Sequence, residues 1–354
     1  MKHLRILFLF AVFLGSSFSH AENLACLGDS IPLVGSLEQP YVELEFELAH
    51  DVEPRKGLFL IDTASTISHL EQSLEPIANP TELVKIRPRP QALNFFGVSS
   101  FPAFVWSSVN HFKKNQVGII GTSLLAHAVY ALDYQQKLLF KSSIRTACTA
   151  SELKNAGFLP ISMKGYFSNS ALDQDFQYEQ VSPSKPNLKH AHVPNVPTIR
   201  VKIAGVVAVA QIDSGFNDSI HPYSVNINAA VLKLVNEKEV RLVPALDIKP
   251  SKLLTCVPGV FETTTAYRLK EGTTFEWVDL LDVGINVYHH PLFFLKNGTK
   301  DTDPCGGIGT WEIPAAQIGA SFLKDLGTMV FNPFSQTLWI SKQHSDDLFA
   351  MPIL

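Results

Sequence analysis

The strongest constraint in this 354-residue chain is a pattern that it carries twice. Gly57-Leu58-Phe59-Leu60-Ile61-Asp62-Thr63-Ala64-Ser65 is an apolar run that ends abruptly in an acid, followed by two hydroxyl residues around an alanine. Val207-Ala208-Val209-Ala210-Gln211-Ile212-Asp213-Ser214-Gly215 repeats the plan: a strand-like run, Ile-Asp, a hydroxyl residue, then a residue small enough for a tight turn. A carboxylate at the end of a buried strand is costly unless a site uses or satisfies it. Each copy is followed by a largely apolar stretch that ends in Ile-Gly and opens into a helix-like segment. These are Val117-Gly118-Ile119-Ile120-Gly121-Thr122-Ser123-Leu124-Leu125 and Ala316-Gln317-Ile318-Gly319-Ala320-Ser321-Phe322-Leu323. Beyond the glycine, Tyr130-Ala131-Leu132-Asp133-Tyr134 runs alongside Met329-Val330-Phe331-Asn332-Pro333, and Leu138-Leu139-Phe140 alongside Leu338-Trp339-Ile340. Two halves built on one plan is the simplest reading.

Short alternating runs and 22 prolines with 20 glycines point to a mostly β chain. From Val42 to Leu48 apolar and acidic residues alternate, the signature of a strand with one wet face. That strand pairs with Gly57–Ile61 across the polar turn at 51–56, which puts Asp62 at the end of the hairpin's return strand. In the second half, 196–203, a turn at Ala204-Gly205 and 206–212 repeat the construction before Asp213. The interval from Asp213 to Ile318 is much longer than that from Asp62 to Ile120, so the second half must hold extra strands or loops.

Residues 1–21 read as an export signal: Lys2, His3 and Arg5, then the apolar core Ile6–Gly15, then a small-x-small site at Ser19-His20-Ala21. That core is too short to span a bilayer comfortably, so no stable membrane insertion is expected after cleavage. The destination is periplasmic or secreted. All four cysteines follow the signal, and an even count in an exported chain favours two disulfides. Three connectivities are open; Cys26–Cys148 with Cys256–Cys305 is favoured because each pair closes one lobe. The expected layout is a first lobe over 22–148, a joint and start of the second lobe with an exposed Pro-bearing insertion over 149–197, the second lobe proper over 198–341 and a tail over 342–354. The net charge of −4, without a basic stripe, excludes nucleic acid as a natural partner. No Cys-x-x-Cys or His-Glu-x-x-His occurs, and His190 with His192 sits in the polar insertion, so neither a metal nor a cofactor is expected.

The paired motifs resemble the aspartic proteases of the pepsin and retropepsin type, and the signal makes the chain an exported, bacterial-like member by expectation. In that family Asp-Thr/Ser-Gly occurs once per lobe, and an apolar-apolar-Gly segment crosses behind each active-site loop. The resemblance implies a two-lobed β-barrel fold with pseudo-twofold symmetry, and an aspartic endopeptidase that hydrolyses peptide bonds of a polypeptide substrate. Asp62 and Asp213 would be catalytic, sharing one proton and holding one water, with no covalent intermediate. Thr63 and Ser214 would place hydroxyls into the network that locks the loops, Gly215 would complete the second turn, and Ser65 would hydrogen-bond Asp62. Phe95, Phe96 and Gly97 are the candidates for the tip of a flap over the cleft. Because one chain holds both acids, a monomer can assemble the site.

Four departures stand out. Ala64 replaces the usual glycine, which is tolerable only with a negative φ. Gln317 takes an apolar place in the second Gly segment, Asn217 and Asp218 differ from the usual hydroxyl residue, and no flap tyrosine is visible. The alternative function is a non-catalytic exported protein on the same scaffold that binds peptides or inhibitors. Two acids that repel one another serve no purpose in a pure binder. A serine hydrolase is excluded on motif grounds, since Leu125 and Leu323 occupy the last place of the Gly-x-Ser-x-Gly that would begin at Gly121 or Gly319.

Overall fold

The computed structural model describes residues 24–35, 39–74, 83–89, 95–106, 115–166, 181–182, 185–186, 196–218, 220–254, 261–283, 287–298 and 307–341. The export signal at 1–21, the His190/His192 pair, Cys256, Cys305 and the tail at 342–354 lie outside the described residues, as does most of the insertion.

The first lobe is a closed six-stranded barrel. Its strands run in the order Tyr41–Glu47, Arg55–Ile61, Gln116–Ile120, His69–Glu71, Phe101–Trp106 and Leu83–Pro88, and Phe46 pairs back to Pro88. Alternation in Tyr41–Glu47 does what it must on a pleated strand. Val42, Leu44 and Phe46 are buried, while Glu43 and Glu47 turn outward and meet Lys56 at 2.8 Å and Arg89 at 2.7 Å. Inside the barrel, the rings of Phe46 and Phe59 meet edge to face with centroids 5.2 Å apart.

The second lobe is built on a nine-stranded sheet whose core repeats that strand order. Thr198–Ile203, Val206–Ile212, Ala315–Ile318, Ser224–Asn228, Leu292–Lys296 and Ala266–Leu269 follow one another as their first-lobe counterparts do. The parallel and antiparallel pairings agree as well. Arg55–Ile61 lies parallel to Gln116–Ile120, and Val206–Ile212 lies parallel to Ala315–Ile318. The turn between Thr198–Ile203 and Val206–Ile212 has φ of 47° at Ala204 and 87° at Gly205, as a tight hairpin turn with two left-handed residues requires. The additional length expected here is used by Leu242–Pro244, the Ser251–Leu254 and Phe261–Thr264 pair, Phe275–Trp277, Val287–Tyr288 and the helix Ala229–Asn236.

A six-stranded sheet joins the lobes and takes three strands from each half: Asp29–Pro32, Leu138–Ser142 and Val129–Asp133, then Thr328–Asn332, Thr337–Ser341 and Phe158–Ser162. The two central strands are the segments whose sequences echo one another. They pair antiparallel, and Ala131 meets Val330, its own counterpart, as a twofold axis through that pair demands. The Cys26–Cys148 disulfide ties the segment before Asp29–Pro32 to the region beyond Leu138–Ser142. Among the described residues no helix is long and apolar enough to cross a membrane.

One expectation is corrected here. Phe95 is fully buried, stacks on Tyr130 at 6.4 Å and touches Phe96, while the Phe96 carbonyl accepts from Lys141 Nζ at 3.3 Å. The rings of Phe95 and Phe96 therefore pack against Tyr130 of the joining sheet, with Gly97 exposed beside them. A phenylalanine pair gains more from a greasy floor than from an exposed tip, and no flap is assigned to them.

The disulfide spans 122 residues of chain, so its loss releases a large closed loop in the unfolded state. Replacing Cys26 and Cys148 together by Ser is expected to lower unfolding stability by about 2–4 kcal/mol. Urea denaturation of the two proteins measures this, and an unchanged midpoint would count against the bond as a stabilising closure.

Candidate active site

Each acid stands at the end of a strand whose neighbour fixes it. The backbone N–H of Asp62 donates to the Ile120 carbonyl (3.0 Å), and that of Asp213 to the Ile318 carbonyl (2.9 Å). Beyond each acid the loop folds back under the Gly segment: Thr122 N–H donates to Ser65 C=O (2.8 Å) and Ala320 N–H to Phe216 C=O (2.9 Å). The two glycines are what permit this approach. A Cβ on Gly121 would lie 2.4 Å from the Ile67 carbonyl oxygen, and one on Gly319 would lie 2.4 Å from that of Phe216.

Within each loop the carboxylate is held by its own backbone. Asp62 Oδ1 accepts N–H groups from Ala64 (2.8 Å) and Ser65 (3.1 Å), and Asp213 Oδ1 accepts from Gly215 and Phe216, both at 2.8 Å. Between the loops, Thr63 and Ser214 make four buried hydrogen bonds, two with each other and two with the opposite strand's last carbonyl. Thr63 N–H donates to Ser214 Oγ (3.0 Å), and the Ser214 hydroxyl donates to Ile61 C=O (2.7 Å). Ser214 N–H donates to Thr63 Oγ1 (3.1 Å), and the Thr63 hydroxyl donates to Ile212 C=O (2.8 Å). Two outer glutamines brace the same loops from the opposite lobes: Gln39 Nε2 donates to Gly215 C=O (3.0 Å) and Gln211 Nε2 to Ala64 C=O (3.3 Å).

This framework brings the carboxyls of Asp62 and Asp213 close enough to act on one another. Burial raises both acids above the ordinary carboxylate range, and the neighbouring Asp62 carboxyl adds to the rise of Asp213. The repulsion belongs to the pair: removing the first proton is easy, removing the second is opposed by the charge already present. Tyr134, at the end of Val129–Asp133, is buried and feels both acids; burial first, then Asp213 and Asp62, keep its phenol neutral.

Thr63, Ser214 and Gly215 thus lie in the loops beside the two acids. Ser65 hydrogen-bonds Asp62 through its backbone N–H, while its hydroxyl donates to Ile67 C=O (2.7 Å). Ala64 has no positive φ, so its Cβ is accommodated. Gly215 is there for space: a Cβ at that position would lie 2.7 Å from Asp62 Oδ2. Asp218 accepts from Ile220 and His221 N–H and shapes a local turn. Sequence reasoning missed Gln39, Gln211 and Asn226. The available signal was the lone amide of Gln211 inside an otherwise apolar strand; Gln39, ahead of Tyr41–Glu47, and Asn226, in a mixed strand, carried none. Gln317 Nε2 donates to Asp213 Oδ2 (2.5 Å) and Asn226 Nδ2 donates to Gln317 Oε1 (2.8 Å). Among the described residues no cluster of three or more His, Cys, Asp or Glu suits a metal ion.

No family model and no curated protein sequence matches the chain. Among solved structures, the crystal structure of an aspartic proteinase from Irpex lacteus is similar at 12% identity and a TM-score of 0.41, over 89% of this chain and 97% of that one. That likeness is weak, and the two-lobed β architecture is read from the strand order and register themselves.

Two outcomes follow from the geometry. Gly215→Ala is expected to cost about 1–3 kcal/mol through overpacking against Asp62, whereas Ala64→Gly costs less than about 1 kcal/mol, through backbone entropy alone. Urea midpoints rank them, and equal costs would mean that Gly215 is not pressed against the carboxyl. The second concerns pH. An acid whose folded pKa is raised binds more protons folded than unfolded, so its contribution to stability falls as pH rises from about 4 through the folded value. Asp213→Asn removes that penalty. The variant should therefore exceed the parent in stability at pH 7, with the difference shrinking towards pH 4. His69, which burial lowers to about 3, contributes equally to both chains. A difference that grows on acidification would contradict the raised pair.

Proposed function

We propose that the protein is an exported aspartic endopeptidase, in which Asp62 and Asp213 activate a water molecule against a peptide carbonyl. The observation that supports it is the pair of neighbouring carboxyls that act on one another, each clamped by two backbone N–H groups on loops interlocked through Thr63 and Ser214. Two like charges held this close are expensive, and a shared proton relieves the cost while leaving one base and one acid in the same place.

The ionised carboxylate draws a proton from water as its oxygen attacks the carbonyl carbon, and the protonated partner donates to the developing oxyanion. Collapse of the resulting gem-diol returns a proton to the departing amine. No acyl-enzyme forms, so neither Ser123 nor Ser321 is needed. A polypeptide is the natural substrate class, laid extended between the lobes with backbone groups available to strand edges. One copy of the chain supplies both acids, so a monomer suffices. The Cys26–Cys148 disulfide fits an oxidising compartment and supports export to the periplasm or beyond.

Incubation of the mature chain with an unfolded protein across roughly pH 3–7, the span in which a shared-proton pair titrates, tests this reading. Cleavage is expected, blocked by a transition-state inhibitor of aspartic proteases and reduced by at least about 10²-fold in Asp62→Asn and in Asp213→Asn. Binding of the inhibitor without cleavage would favour the non-catalytic scaffold, and cleavage unaltered in both variants would exclude the pair as the catalytic group.

A further inference from the structure

The two halves of the site differ most at Gln317. Its strand, Ala315–Ile318, lies between Val206–Ile212 and Ser224–Asn228, and the register sets Gln211, Gln317 and Asn226 in one row of three carboxamides. In the first lobe the place of Gln317 belongs to Ile119 and that of Asn226 to His69, which pair with each other in the same antiparallel manner. The first lobe therefore has no amide at these two register positions, while Gln317 Nε2 donates to Asp213 Oδ2 at 2.5 Å and its Oε1 accepts from Asn226 Nδ2 at 2.8 Å. Three neutral donors converge on Asp213 from Gly215, Phe216 and Gln317; two backbone donors reach Asp62.

An amide has a donor end and an acceptor end, and the end turned toward an acid matters. N–H toward Asp213 favours the carboxylate, whereas C=O toward Asp213 would require a proton on Oδ2. Asn226 does not fix this choice by itself. It is 2% exposed, and its Oδ1 is buried with no hydrogen-bond partner among the described residues, so rotating both amides together would leave one Asn226 atom unmatched either way. What breaks the tie is charge, because donation to an ionised oxygen is roughly twice as strong as donation to a neutral one. Negative charge on Asp213 and the donating orientation of Gln317 hold each other in place. Burial and the neighbouring Asp62 carboxyl work the other way, raising Asp213 well above the ordinary carboxylate range, and the Gln317 donor opposes both. The titratable groups that act on Asp213 are Asp62 across the axis and the Tyr134 phenol, which stays neutral.

We propose that Gln317 is a positioning residue that fixes the negative charge of the pair on Asp213 and leaves the shared proton on Asp62, with Asn226 holding its amide in place. The assignment rests on the hydrolytic reading only for its roles: Asp213 becomes the base toward water and Asp62 the acid toward the carbonyl. The placement of charge itself exists without substrate.

Carboxyl ¹³C NMR titration of the substrate-free protein tests it, with resonances assigned through Asp62→Asn and Asp213→Asn. In the parent chain Asp213 should lose its proton in the first step and Asp62 in the second. In Gln317→Met, which keeps the volume without the donor, the first step should rise by about one pH unit and the second should stay, because only the singly charged form gains from Gln317 over the fully protonated one. If Gln317→Met does not fold, Asn226→Leu, which frees the amide to rotate, should move the first step in the same direction by less. Asp62 titrating first in the parent, or a first step unmoved in the folded variant, overturns the proposal. The second arm is the pH profile of kcat/KM on an unfolded protein. The acid limb should move up by about one unit with KM little changed, while a uniform fall with both limbs in place would again overturn it. If the parent cleaves nothing, the hydrolytic reading fails and the NMR titration still decides where the charge resides.

Discussion

The arrangement depends on the exchange of hydrogen bonds between Thr63 and Ser214. Each side chain accepts from the other's backbone N–H and donates to the carbonyl that precedes the opposite acid, at Ile212 and Ile61. A buried hydrogen bond contributes about 1 kcal/mol net, but an N–H or C=O left without its partner costs more than that. The four bonds therefore stand or fall together. They are also what allows two carboxyls to be held against their mutual repulsion, since neither loop can withdraw without stranding polar groups of both lobes. Gln39 and Gln211 extend the interlock outward, each reaching the small residue of the other lobe's loop.

Around this symmetric centre the supporting residues are not symmetric. The backbone pattern is the same in both lobes, from the strand carbonyls of Ile120 and Ile318 to the crossings at Gly121 and Gly319. The side chains differ at nearly every following position: Ala64 against Gly215, Ser65 against Phe216, Ile119 against Gln317, His69 against Asn226. Duplication fixes the path of the chain because closed sheets and tight crossings tolerate little change. Side chains one shell out are free to diverge, and divergence there is a direct way to make two identical acids chemically unequal.

Much of this was legible in the amino-acid order. The alternation through Val42–Leu48, the run into Ile61-Asp62 and its copy into Ile212-Asp213 placed the hairpins, and the matching tails marked as equivalent the two segments that pair at Ala131 and Val330, though not that they pair. Local patterning can do this because strands and turns are written in neighbouring residues. The amides around the site could not be read that way: Gln39 lies 176 positions from the carbonyl it serves and Gln317 lies 104 from its carboxyl, so their roles exist only once register is set. The Phe95-Phe96-Gly97 reading failed for a related reason, since an aromatic pair beside glycine looks alike in a flap and in a core until the floor beneath it, Tyr130, is known.

The central claim is that Asp62 and Asp213 face one another and hold a single proton between them. A crystal structure of the mature chain at atomic resolution, grown at about pH 5 where a coupled pair retains one proton, measures this through carboxyl separation and C–O bond lengths. The account predicts facing oxygens within hydrogen-bonding distance, with one carboxyl showing unequal C–O bonds and the other nearly equal ones. Carboxyls turned into separate pockets, or two equally ionised groups with nothing between them, would contradict it.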